Sequence, residues 1–151
     1  MSKNSNKELF DGYRKHLTTK ITKDTKRLVK FDELSNIVIG CAIEVHRTLG
    51  PGLLESAYEQ CLARELFLAD IIFEIQKPLP VEYKGIHLDC GYRLDMFIEN
   101  KLILEIKAVD KLLSIHEAQI LTYMKLAKVS VGLLINFNVE LLKEGIRRFV
   151  L

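Results

Sequence analysis

Tyr92-Arg93-Leu94-Asp95-Met96-Phe97 and Leu102-Ile103-Leu104-Glu105-Ile106-Lys107 are two short apolar segments separated by the polar break Glu99-Asn100-Lys101. Their length, apolar content and turn-like separator mark a pair of β-strands. Side chains two apart on a strand share a face, so Glu105 and Lys107 project together while Leu104 and Ile106 face the other way. A three- or five-residue turn centred on Asn100 sets Asp95 opposite Glu105. A two-residue loop at Glu99-Asn100 would instead pair Asp95 with Leu104 and send the two carboxylates to opposite faces. With the longer turn, Asp95, Glu105 and Lys107 converge on one patch. Two carboxylates suit a hard divalent cation such as Mg²⁺, or Mn²⁺, which binds one or two acids plus waters and substrate phosphate. A neighbouring lysine can orient the attacking water or stabilise charge developing on a phosphoryl group. Two such carboxylates also repel, so without a cation one of them is expected to keep its proton above the usual range. An isolated Glu-x-Lys, by contrast, is most often an ordinary charge pair on a solvated strand.

Outward from this patch, Ile115 to Ala127 has helical spacing, with Ala118, Leu121, Met124 and Leu126 on one side. Gln119 and Tyr123 are four apart and point from one helical face. Upstream, Gly50-Pro51-Gly52 punctuates the chain before another helix. Glu55 and Tyr58 share a face of that helix, and Glu59 adds a second carboxylate one turn on. A further acid is thereby available to the strand patch.

Taken in order, Asp95, Glu105-x-Lys107 and Gln119-x-x-x-Tyr123 resemble the core of the PD-(D/E)XK nucleases with a RecB-like helix behind it. Gly52-x-x-Glu55-x-x-Tyr58 is similar to the signature of the GxxExxY family, which is grouped with those nucleases. The resemblance covers residues 33 to 151. It implies a restriction-endonuclease-like α/β fold, a mixed sheet flanked by helices. It further implies a divalent-metal site with Asp95 and Glu105 as ligands, Glu55 as auxiliary acid, and Lys107 as the catalytic lysine. Gln119 and Tyr123 would line the site. The pattern departs at Leu94, where a proline often precedes the aspartate.

The chain has 151 residues, 48% of them hydrophobic and 28% charged, a globular composition sufficient for one continuous core. No apolar run approaches the roughly 20 residues of a membrane span, and the N-terminus lacks the apolar stretch of a secretory signal. Cys41, Cys61 and Cys90 have no metal-ligand spacing and are expected to be buried free thiols in a reducing cytoplasm. The formal charge of +2 is uneven: residues 1–30 hold nine Lys or Arg and three acids, leaving thirteen basic and seventeen acidic residues, a balance of −4, for the rest. Residues 1–30 read as a flexible basic extension able to attract nucleic acid through its phosphates, or as a solvated tail. Residues 31–151 form the nuclease-like domain, and a homodimer is compatible with it.

The remaining periodicity predicts the order ααβββαβ. Asp32 caps a first helix whose stripe is Leu34, Ile37, Val38, Cys41, Ala42 and Val45. A second, from about Leu53 to Ala69, buries Leu54, Ala57, Cys61, Leu62 and Leu66. Ile71 to Tyr83 is extended and interrupted near Pro78 and Pro80. Lys84-Gly85 is a turn into Ile86–Cys90. After the Gln119 helix come a strand over Val129–Phe137, a short helix over Glu140–Arg147 and a terminal strand over Phe149–Leu151. A helical crossover makes one parallel strand pair expected. His46, near a helix C-terminus, reads as structural, His116 as a first-turn capping group, and Asp89 stays open because Gly91 can alter its facing. Tyr92 and Phe97 read as packing residues. No zinc-type cluster, Ser/His/Asp arrangement or phosphate-binding glycine loop is present. The function indicated is metal-dependent hydrolysis of phosphodiester bonds in DNA or RNA, the alternative a nuclease-fold binding or regulatory module without turnover.

Overall fold

The segment Leu102–Lys107 (β5) is apolar on both faces because both are covered: every residue from Leu102 to Ile106 is buried. The computed structural model describes residues 33–151. The basic extension over 1–30 and the helix cap expected at Asp32 lie outside the described residues. Two helices lead, Glu33–Leu49 (α1) and Glu55–Leu68 (α2). They are followed by strands Phe73–Pro78 (β1), Val81–Tyr83 (β2), Ile86–Leu88 (β3) and Arg93–Ile98 (β4). After β5 come helix Ser114–Ala127 (α3), strand Val131–Asn136 (β6), a 3₁₀ turn at Leu142–Gly145 and strand Ile146–Val150 (β7).

The main sheet has five strands in the order β1-β4-β5-β6-β7. Among the described residues only β5 and β6 pair in parallel, because α3 carries the chain back across the sheet between them. The helices lie on opposite faces. Ile37, Val38, Cys41, Tyr58, Leu62 and Leu66 of α1 and α2 pack on Met96, Ile98, Leu102, Leu104, Ile106, Leu133 and Ile135. Ile120, Tyr123 and Met124 of α3 pack on Phe97, Ile103 and Leu134. The mixed sheet flanked by helices is that of a restriction-endonuclease-like fold.

Several local expectations are corrected. Ile71–Tyr83 is two strands, since Pro78 and Pro80 end β1 and place β2 in a separate two-stranded arm with β3. Leu54 lies outside α2 and is 77% exposed, the buried side being Tyr58, Leu62, Ala63 and Leu66. Met124 of the expected α3 stripe is buried, but Ala118 is exposed and the rest of the buried side is Ile120 and Tyr123. The expected helix over Glu140–Arg147 shrinks to the 3₁₀ turn, and β7 starts at Ile146 because its ladder with β6 claims Ile146 opposite Ile135. Gly145 is required there: a Cβ would run into the carbonyl oxygen of Asn136. Of the cysteines only Cys41 is buried, its thiol pushed up to about 12 chiefly by burial and further by Glu65. Cys61 is half-buried and Cys90 exposed.

One buried aromatic fixes the α1–α2 loop. Tyr58 stacks on Phe137 at 4.4 Å between ring centroids. Its hydroxyl donates to the Gly50 carbonyl at 2.6 Å and accepts from the Leu53 N–H at 3.2 Å. Gly52, at φ +100°, makes the turn that a side chain would strain. His46 is buried and bonded through Nε2 to the Val139 carbonyl at 2.8 Å, so it is structural. Tyr58→Phe is expected to cost about 1 kcal/mol through the lost loop bonds, and Tyr58→Ala about 3–5 kcal/mol through the cavity. Urea denaturation checks both. Equal midpoints for wild type and Tyr58→Ala would overturn this account of the loop.

Candidate active site

Met96 pairs with Leu104, Phe97 with Ile103 and Ile98 with Leu102, so the β4–β5 turn is the three residues Glu99, Asn100 and Lys101, centred on Asn100. Glu99 and Asn100 take φ of +51° and +54°, and the Lys101 N–H closes the turn onto the Ile98 carbonyl at 3.0 Å. Asparagine tolerates that conformation; glutamate does so less readily. Glu99 is held there from outside, since its N–H donates to the Ile72 carbonyl at 2.9 Å and its Oε1 accepts the Ile72 N–H at 2.8 Å. Asp95 and Glu105 meet just past the last ladder pair, where Leu94 and Met96 turn into different cores and Asp95 opens towards Glu55 and Glu59 of α2.

Beyond Met96 and Leu104 the backbone ladder gives way to the carboxylates. The Asp95 N–H donates to Glu105 Oε1 at 3.2 Å, and the Ile106 N–H donates to Asp95 Oδ2 at 2.8 Å. Each acid thus occupies a bonding position on the opposite strand. Glu105 is 4% exposed, and its carboxyl is pushed up to about 9, first by burial and then by the charge of Asp95. The Asp95 N–H and the nearby Lys107 oppose that shift without cancelling it. The expected retention of a proton therefore falls on Glu105.

Helix α3 supplies Gln119 and Tyr123, joined by a 2.9 Å bond from Gln119 Nε2 to the Tyr123 oxygen. The Tyr123 phenol is raised mainly by burial, partly offset by Gln119, with Glu105, Tyr92 and Asp95 adding to the rise. Among the described residues Gln119 bonds to Tyr123 and to neither carboxylate. Helix α2 packs on the other sheet face, yet its start reaches round the open end of β5: Glu55 Oε1 accepts the Ala108 N–H at 3.3 Å. Glu55, Glu59, Gln76 and Asp95 line a cleft of about 540 Å³, with Leu53 and Leu54 on its rim. Lys107 is half-buried at the end of β5, its carbonyl accepting the Phe137 N–H at 2.8 Å.

Asn136, buried opposite Lys107, clamps the chain leaving β5 through two bonds to the Val109 backbone, 3.1 and 2.8 Å. Neither Asn136 nor Gln76 stands out in the sequence, because an amide inside an apolar strand has no distinctive spacing. His116 Nδ1 accepts the Leu113 N–H at 3.0 Å, a local helix-start bond, and Asp89 accepts from Gly91 at 3.2 Å within its own turn. Among the described residues, no three His, Cys, Asp or Glu side chains form a ready-made metal cage, and no helix is long and apolar enough to cross a membrane.

No curated protein and no solved structure matches the chain. The family model of the PD-(D/E)XK nuclease superfamily matches residues 32–149. That span runs from α1 into β7 and takes in Asp95, Glu105 and Lys107 on the strand pair just described. By the extent of this match the chain belongs to the PD-(D/E)XK nuclease superfamily.

Proposed function

We propose that this protein is an active divalent-metal-dependent nuclease that hydrolyses phosphodiester bonds in DNA or RNA. The observation that carries the reading is the facing pair Asp95 and Glu105 at the open end of the β4–β5 hairpin. Hard oxygen donors suit Mg²⁺ or Mn²⁺, and a buried carboxyl raised to about 9 has too little positive charge beside it, even with Lys107 near, to ionise. Asp95 and Glu105 would hold the cation, with Glu55 as auxiliary acid. When bound, the cation neutralises the two acids and polarises the scissile phosphate.

The protein's own groups account for the rest. Lys107, beside Glu105, supplies positive charge for the phosphoryl oxygens and orients the attacking water. Gln119 donates to the Tyr123 oxygen, which leaves the Tyr123 hydroxyl proton available to a substrate oxygen and the Gln119 carbonyl available to water. Leu53 and Leu54 at the cleft rim offer apolar contact to sugar or base. The narrower GxxExxY grouping belongs to the same reading, supported by what its three positions do. Gly52 turns, Glu55 binds the end of β5, and Tyr58 pins the loop between them.

Glu105 gives a pH prediction. Its folded value of about 9 lies above its ordinary 4.5, so the folded state holds the proton more firmly than the unfolded chain. This contribution to stability is fully present below pH 4.5 and is lost as pH rises towards and through 9. Melting temperature against pH in EDTA should therefore fall more steeply for wild type than for Glu105→Gln across that window. Equal slopes would refute the protonated state.

Adding Mn²⁺ should raise the melting temperature once its concentration passes the dissociation constant, with Mg²⁺ weaker in the absence of substrate phosphate. Asp95→Asn and Glu105→Gln should abolish both this shift and cleavage of labelled DNA and RNA. Lys107→Ala should keep the shift while kcat falls by about 10²–10³-fold, since its contribution is made in the transition state. Absence of any wild-type response at millimolar Mn²⁺ would replace the nuclease reading with that of a nuclease-fold binding module.

A further inference from the structure

Gln76 stands inside β1 with φ of +53°. The other described non-glycine residues with positive φ are Asp70, Lys84, Glu99, Asn100 and Lys128, all at turns or just past helix ends. A bulge is not the cause. Ile75 pairs with Met96 and Lys77 with Leu94, so no residue is inserted, and Gln76 faces Asp95 without joining the ladder. Left-handed backbone is unfavourable for a residue with a Cβ, and it persists where surrounding contacts impose it. Those contacts are visible. Arg93 Nη1 donates to the Gln76 carbonyl at 3.2 Å, and Gln76 Nε2 donates to Glu59 Oε2 at 2.7 Å and to Asp95 Oδ1 at 3.4 Å.

We propose that Gln76 is a positioning residue for Asp95 and that Glu59 orients Gln76, a relay from α2 to the metal-binding carboxylate. A side-chain amide nitrogen carries two protons. Glu59 takes one at short range, which aims the other at Asp95 Oδ1. Because the Ile106 N–H holds Oδ2 at 2.8 Å, both oxygens of Asp95 are restrained and the carboxylate keeps one orientation. The amide also stands between Glu59 and Asp95, two acids lining one cleft. Contacts of this outer kind typically change metal affinity or activity by about 10–100-fold when removed. The strained backbone is then a consequence of aiming the side chain out of the sheet. The inference rests on Asp95 serving as a metal ligand, as proposed above.

Gln76→Gly tests it, because glycine accepts the positive φ and removes the amide. In EDTA its melting temperature should equal or exceed that of wild type. Its Mn²⁺ dissociation constant, read by thermal shift, should weaken by about 10–100-fold, with kcat falling and KM for nucleic acid little changed. Glu59→Ala should weaken Mn²⁺ binding in the same direction. Glu59→Gln, whose side-chain oxygen still accepts the Gln76 N–H, should rescue most of that loss. A lower melting temperature in EDTA together with unaltered Mn²⁺ affinity would make Gln76 merely structural and overturn the proposal. Equal damage from Glu59→Gln and Glu59→Ala would show that Glu59 acts through its own charge, which overturns the relay. A wild type with no Mn²⁺ response overturns both readings. A responsive wild type beside an equally responsive Gln76→Gly overturns the relay alone.

Discussion

A carboxyl group at the centre of a sheet covered on both faces is costly unless its surroundings answer its polarity, and Glu105 is 4% exposed on a strand buried from Leu102 to Ile106. Its answer is Asp95. Each acid accepts an N–H from the opposite strand where a backbone carbonyl would otherwise do so. This satisfies the freed backbone donors and holds the two strands apart at their open end. Burial first, and then the charge of Asp95 facing it, is why Glu105 keeps its proton. Packing maintains the arrangement: Ile103 on one face and Leu104 and Ile106 on the other anchor β5 in two separate cores.

The rest of the fold brings polar groups to that opening from both sides of the sheet. Helix α3 is seated by Ile120 and Met124 close against Gly132 of β6, where a Cβ would meet the Met124 sulfur at 2.5 Å. That close approach sets how near Tyr123 and Gln119 come to the carboxylates. On the other face, the Tyr58–Phe137 stack and the His46–Val139 bond tie α1, α2 and the exit of β6 together. Glu55 thereby meets the end of β5, and Glu59 meets Gln76 of β1, at one cleft.

Much of the strand pair was readable from the chain. Two apolar segments and the polar break at Glu99–Lys101 suffice to infer a hairpin turning at Asn100, whereas Asp95 and Glu105 meet beyond the paired residues through bonds to each other's strand. Helical stripes were less legible. Tyr58 displaced Leu54 and Ala57 as the buried side of α2 because its ring found Phe137, a partner from the far end of the sequence. In α3, apolar residues fall on several sides of the helix, so periodicity alone did not choose between Ala118 and Ile120. The final helix was misread because Leu141–Ile146 is apolar at helical spacing, while the ladder to β6 claimed Ile146 for a strand.

What the sequence by itself determined is local: that the two central segments are strands, where the hairpin between them turns, and that two acids and a lysine lie near its open end. Those properties depend on side-chain alternation and on residues close in the chain. Tertiary structure decided the degree of burial that raises Glu105, the route by which Glu55 reaches the end of β5 and Glu59 reaches Gln76, and the turning of Gln76 out of its ladder. These arise from contacts between distant segments, whose strength depends on exclusion of water and on three-dimensional register. No local pattern of residue types records either.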